Sequence, residues 1–125
     1  MDFQNLYERA RQAGLNAAVS KKVQPMVVGT PKSIFSNEID ETKPSYIVEG
    51  GPCGFAEVVV KPGNSRFANW LKKNNLGGRR YYGGGVSVWV SEFGQSYERK
   101  MAYAQAFAEV LREANIHASA AGRLD

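Results

Sequence analysis

Cys53 and His117 are the chain's only cysteine and its only histidine, and a thiol activated by an imidazole needs the two within hydrogen-bond reach. Cys53 falls in a Gly-Pro-Cys-Gly turn, exposed enough to react, whereas His117 lies on the polar side of an alternating segment. Nothing in their spacing brings them together. Zinc asks for about four Cys, His or carboxylate ligands, and no metal is expected. Glu109 and Glu113 stand at i and i+4 of a helical pattern, a spacing that lets two carboxylates share acid and base work. Lys100, Gln105 and Arg112 on the same side make it a solvated helix surface instead. Glu38, Asp40 and Glu41 lack the alternating oxygen ligands and central glycine of a calcium loop. The chain is therefore read as non-enzymatic, with no catalytic residue and no cofactor assigned.

The run GGRRYYGGG, Gly77 to Gly85, offers another chemistry, since backbone amides of a glycine-rich turn and adjacent arginines can hold a phosphate. It fails the mononucleotide templates: GxxxxGK[ST] is absent, and these glycines precede a strand pattern instead of opening a helix. Single-stranded nucleic acid fits better. Lys61, Arg66, Lys72, Lys73, Arg79 and Arg80 interleave with Trp70, Tyr81, Tyr82 and, farther on, Trp89, the mixture of cations for phosphates and flat rings for bases that single-strand binders use. YGGGVSVWV resembles the glycine–aromatic RNP1 strand of an RNA-recognition motif. The order of elements argues against that module, because one clear strand separates the two helices that should enclose two, and the aromatic positions do not match its motif. The competing assignment places Trp70 and Trp89 in the core and the tyrosines over a sheet edge, so exposure of the rings decides between them. The expected nucleic-acid-binding residues are Lys61, Arg66, Lys72, Lys73, Arg79, Arg80, Tyr81 and Tyr82.

Composition sets the frame. The 125 residues are enough for one domain spanning 1–125, with 43% hydrophobic and 11% aromatic residues. No window approaches the roughly 18 uninterrupted apolar residues of a membrane span. The start MDFQNLYERARQAG lacks the basic and apolar regions of a secretory signal. With a lone cysteine there is no internal disulfide, so a soluble protein of the cytoplasm is expected. The formal charge of +4 is unevenly spread: Asn37 to Glu57 holds five acids and one lysine, whereas Val58 to Ser91 holds six basic residues and no acid. Such asymmetry steers anionic partners.

The elements that must position these residues follow from periodicity. Asp2 is a candidate N-cap for a helix burying Phe3, Leu6, Tyr7, Ala10, Gly14 and Ala17 and running through Gly14 to about Ser20. Val23 to Val28, interrupted by Pro25, reads as an edge strand. Lys32 to Lys43 reads as a loop or irregular hairpin, and Ser45 to Glu49 as a short strand. Phe55 to Lys61 places Ala56, Val58 and Val60 on one face and Phe55, Glu57 and Val59 on the other, which implies a central strand. Asn64 or Ser65 caps a helix carrying Phe67, Trp70 and Leu71, closed by Gly77. Val86 to Val90 alternates as a strand, and after a turn at Glu92 to Gln95 a long helix carries Tyr97, Met101, Ala104, Phe107, Ala108, Leu111 and Ala114. Asn115 takes its C′ position, and a short weak strand starts at Ile116. The order α-β-β-β-α-β-α-β predicts an α+β fold, a mixed sheet of about four to five strands against three helices, extended by the N-terminal strands.

PMVVGTP, GPCGFAEVVVKP, FANWLK, YYGGGVSVWV, QSYERKMAYAQAFAEVLREA and the terminal GRLD resemble a group of small uncharacterised proteins encoded by bacteriophages and prophages. That resemblance brings no activity or catalytic residues. It implies an accessory binding module in the bacterial host cytoplasm or the virion. The expected partner is single-stranded nucleic acid; the alternative is a host or phage protein, through a virion-associated or interaction role using Lys32 to Lys43 and the sheet edges. Membrane is not expected as a partner, and oligomeric state is not readable.

Overall fold

A computed structural model describes residues 2–22, 26–29, 45–48, 51–80, 82–93 and 96–124. Its elements are α1 (Phe3–Ser20), β1 (Met26–Gly29), β2 (Ser45–Val48), β3 (Gly54–Lys61), α2 (Arg66–Lys73), β4 (Gly78–Arg79), β5 (Val86–Trp89), α3 (Tyr97–Glu113) and β6 (His117–Leu124). Val23 to Pro25, the Lys32 to Lys43 segment with Glu38, Asp40 and Glu41, and Tyr81 lie outside the described residues.

Each helix begins on a side-chain cap. Asp2, Ser65 and Ser96 accept hydrogen bonds from the N–H groups of Asn5, Ala68 and Arg99, satisfying amides that the first turn leaves without a partner. Both α2 and α3 end in Schellman motifs built on asparagine. Asn75 and Asn115 adopt positive φ, and the amides of Leu76 and Ile116 reach back to the carbonyls of Leu71 and Leu111. Asn115 is where the sequence places it. For α2 the expected stop at Gly77 comes two residues early, because Asn75 tolerates the left-handed conformation and its successor Leu76 packs against the core.

The α+β fold with three helices stands as read, and the sheet is antiparallel in every described ladder, not mixed. Four strands lie in the order β4-β5-β3-β6. From β3 onward the chain runs β-α-β-β-α-β. The crossover through α2 joins β3 to β4, and the crossover through α3 joins β5 to β6. Each crossover skips one strand, so parallel strands are never neighbours; this is the split β-α-β arrangement. The strand missed by periodicity is β4, two residues paired as Gly78↔Ser87 and Arg79↔Val86. It restores the second strand between the helices and removes the objection raised by element order. Among the described residues the N-terminal strands do not extend this sheet, since β1 and β2 pair antiparallel as a separate two-stranded sheet. The closing strand is eight residues long, paired with β3 from Gly54↔Leu124 to Lys61↔His117.

The core lies between the inner sheet face and the helices. Ala56, Val58 and Val60 of β3 and Val86 and Val88 of β5 meet Phe67 and Leu71 of α2 and Tyr103, Ala104, Phe107, Ala108 and Leu111 of α3 in one cluster. On α1 the buried stripe is Leu6, Ala10, Gly14 and Ala18, strict i+4 spacing with Ala18 in place of the expected Ala17. Gly14 is required by proximity: a Cβ there would stand 2.8 Å from the Tyr103 ring. That ring is held by Phe93 and Phe107 at centroid distances of 5.9 and 5.8 Å. Gly14→Val is therefore expected to destabilise by about 1–3 kcal/mol as an overpacked core, read as a lower urea midpoint; an unchanged midpoint would show that the two helices can part freely.

Tyr103 also gives the fold a pH signature. Burial first, then the Glu92 carboxylate and the Tyr7 hydroxyl, push its hydroxyl well above the ordinary tyrosine value. The folded state thus keeps a proton that the unfolded chain releases near pH 10. The associated stability is whole below about pH 10 and declines as pH rises further. Urea melts from pH 8 to 11 should show this decline, and Tyr103→Phe should flatten it; an equally steep fall in the variant would assign it to other groups.

Candidate nucleic-acid interface

Strand alternation that buries Ala56, Val58 and Val60 turns Phe55, Glu57 and Lys61 to the opposite face. The registers Glu57↔Trp89, Phe55↔Arg123 and Glu57↔Ala121 bring partners from β5 and β6 onto that face. Phe55 and Trp89, on the two central strands, form a tilted ring pair at 5.8 Å between centroids. The Arg123 guanidinium lies 5.5 Å from the Phe55 ring centroid and the Lys100 ammonium 5.7 Å from it, both within cation–π range. Phe55 is thereby engaged, whereas Trp89 keeps 54% of its surface in solvent and Tyr82 keeps 87%.

These side chains border an open groove of about 540 Å³ whose lining also includes Arg79, Arg80 and Ser87. Val59, which shares the outward alternation, is buried and lines a separate cavity with Lys61 and His117. The platform is the Phe55 to Glu57 half of the sheet.

Glu57 organises the polar side of the groove. Oε1 accepts from Arg80 Nε and meets the terminal Arg80 nitrogen, both at 2.9 Å, and Oε2 accepts from the Ser87 hydroxyl at 2.8 Å. The same guanidinium donates to the Gly84 carbonyl at 3.3 Å, tying the β4–β5 loop to the central strand. Glu57 is the one acid among the described residues lining the groove, and Arg80 already neutralises it. Arg79 and Arg123 meet no carboxylate among the described residues. The groove therefore carries net positive charge, with Arg79 at the β4 edge and Arg123 on β6.

The other expected residues divide. Arg79, Arg80 and Tyr82 line this groove. Lys72 joins Arg79 and Arg80 in a second cleft around the loop glycines. Lys61 stands at the opposite end of β3 beside His117. Arg66 and Lys73 are exposed on α2 and line neither cavity. Trp70 is withdrawn from the surface question, half-buried against Phe3, Tyr7 and Phe67. Phe55, Glu57 and Arg123 were not among the expected site residues. The period-2 alternation of FAEVVVK carries the signal for the first two, whereas Arg123 needed the full length of β6.

Cys53 and His117 are separated by the length of β3. Cys53 pairs with Ser96 just before Gly54, and His117 is opposite Lys61, roughly 25 Å apart along the strand. The sequence leaves open whether the two meet in space, and this placement keeps them apart. Glu109 and Glu113 are exposed on α3, but Lys100 does not share their solvated face: it is buried, with 5% exposure. Among the described residues no three His, Cys, Asp or Glu side chains gather for a metal, and no helix is long and apolar enough to cross a membrane.

Comparison with protein families, characterised proteins and solved structures finds no match.

The Glu57–Arg80 pair is partly buried at 18% and 23% side-chain exposure. A double-mutant cycle with Glu57→Ala and Arg80→Ala should give a coupling of about 1 kcal/mol in urea unfolding, the upper end for pairs near a surface. Strict additivity would mean that the loop is not held by this contact.

Proposed function

We propose that the Phe55–Trp89 face binds single-stranded nucleic acid, as a binding module and not as an enzyme. The observation that carries this is the exposed Trp89 ring on a central strand, braced by Phe55 on the adjacent one, in a groove also lined by Arg79 and Arg123, which meet no carboxylate among the described residues. Four-stranded sheets with helices on one face and aromatic rings on the central strands of the other stack bases in RNA-recognition modules. The split β-α-β order supports the same use here. Stacking is indifferent to base identity, and the arginines supply contacts to phosphates. In the setting implied by the resemblance to phage-encoded proteins, such a module serves as an accessory factor in the host cytoplasm or the virion.

Fluorescence anisotropy with labelled single-stranded DNA and RNA at low salt tests the reading. Trp89→Ala should weaken binding about 5- to 150-fold, the equivalent of roughly 1–3 kcal/mol for one stacked base. Lack of binding by the native protein would sink the proposal. If light scattering then showed a stable stoichiometric protein assembly lost in Trp89→Ala, the face would belong to a protein partner, for which exposed Trp, Tyr and Arg are equally apt.

A further inference from the structure

Arg79 and Arg80 line both the aromatic groove and a second cavity of about 380 Å³, which joins Lys72 to the backbone of Gly63, Gly84 and Gly85. The two cavities thus share a wall at the β4 edge. Three glycines, Gly63, Gly84 and Gly85, contribute to the wall of the second. Gly83, Gly84 and Gly85 all have positive φ, and a Cβ on Gly63 would come within 3.4 Å of the Gly85 Cα. A Cβ on Gly85 would strike the Val60 carbonyl and the Lys61 stem at 2.8 Å. Gly85 thus lets the loop backbone approach β3 closely at the edge of this cavity.

The cations around it are not equivalent. Arg80 is committed to Glu57 and Gly84. Lys72 donates one hydrogen bond, to the Gly63 carbonyl at 2.9 Å, leaving two of the three ammonium protons available. Arg79 is exposed and meets no carboxylate among the described residues. Two cations without a carboxylate partner among the described residues therefore line one cleft that shares Arg79 and Arg80 with the stacking groove.

We infer that this cleft holds a phosphodiester of the strand whose base stacks on Trp89, so that the bound strand leaves the sheet over the β4 edge between Lys72 and Arg79. The inference rests on the binding reading above and adds to it a direction and a second contact point. One phosphate gripped there contributes about 0.7 to the slope of log affinity against log salt for a single strand.

The test measures affinity from 50 to 200 mM salt in the native protein, in Lys72→Ala, whose side chain lines the cleft and not the aromatic groove, and in Lys73→Ala. The last variant removes the same charge from the same helix without touching the cleft. Quenching of Trp89 fluorescence reports base stacking, over a constant background from half-buried Trp70. The expected result is a slope shallower by about 0.7 in the cleft variant, with quenching retained at saturation and the native slope kept in the control. Equal slopes in all three proteins, or equal losses in both variants, would overturn the cleft while leaving the stacking face intact. Absence of both quenching and anisotropy change in the native protein would remove the face and the cleft together.

Discussion

Ala56, Val58 and Val60 are buried almost completely in the inner layer, and β3 is paired along both edges, to β5 and to β6. A one-residue slip of β3 would send these three side chains to solvent and bring Phe55, Glu57 and Lys61 into the core. That cost fixes the register, and the register fixes the outer face. Glu57 must then lie opposite both Trp89 and Ala121, and Phe55 opposite Arg123. The ring pair and the carboxylate at its side are consequences of how the core is filled.

Close approach between layers depends on small residues at particular places. Ala10, Gly14 and Ala18 let α1 lie along α3, which carries Ala104 and Ala108 toward the sheet. Gly122 of β6 admits Met101: a Cβ there would be 2.5 Å from the Met101 sulfur and 2.7 Å from the Phe55 carbonyl. Gly54 is similarly crowded by Tyr97 and the Arg123 carbonyl. The Phe55 end of the sheet is thus pinned between α3 and β6. Lys100 can reach over Phe55 from α3 only because of that closeness, its aliphatic stem buried and its charge directed to the ring.

What periodicity could show, it showed. The α1 stripe passing through Gly14 predicted a helix to Ser20, FAEVVVK predicted a central strand, and Asn115 marked the end of α3. The failures have physical causes. A two-residue strand such as β4 has no period to detect and exists because Val86 and Ser87 offer partners. HASAAGRL has too few large side chains for a pattern, and its length is set by pairing with β3. Lys100 was assigned to solvent by its charge, whereas its position is decided by the helix face it occupies. The candidate site was half legible. The basic and glycine-rich segment pointed to the β4 edge, but the residues beside Trp89 come from β3 and β6, and only the sheet order brings them together.

Glu57 fixes the loop beside the cationic groove. Guanidinium groups crowded at a sheet edge repel one another, and a loop with three successive positive-φ glycines carries little rigidity of its own. Glu57 is anchored in the middle of the central strand and takes up Arg80, which in turn holds the Gly84 carbonyl. One neutralised pair thereby orders the loop, while Arg79 and Arg123 keep their charge. An electrically neutral groove would not attract a polyanion, and a groove of three free arginines would leave its loop unfixed. The arrangement present satisfies both demands with a single carboxylate, which is the physical reason an acid lies at the centre of a surface read as anion-binding.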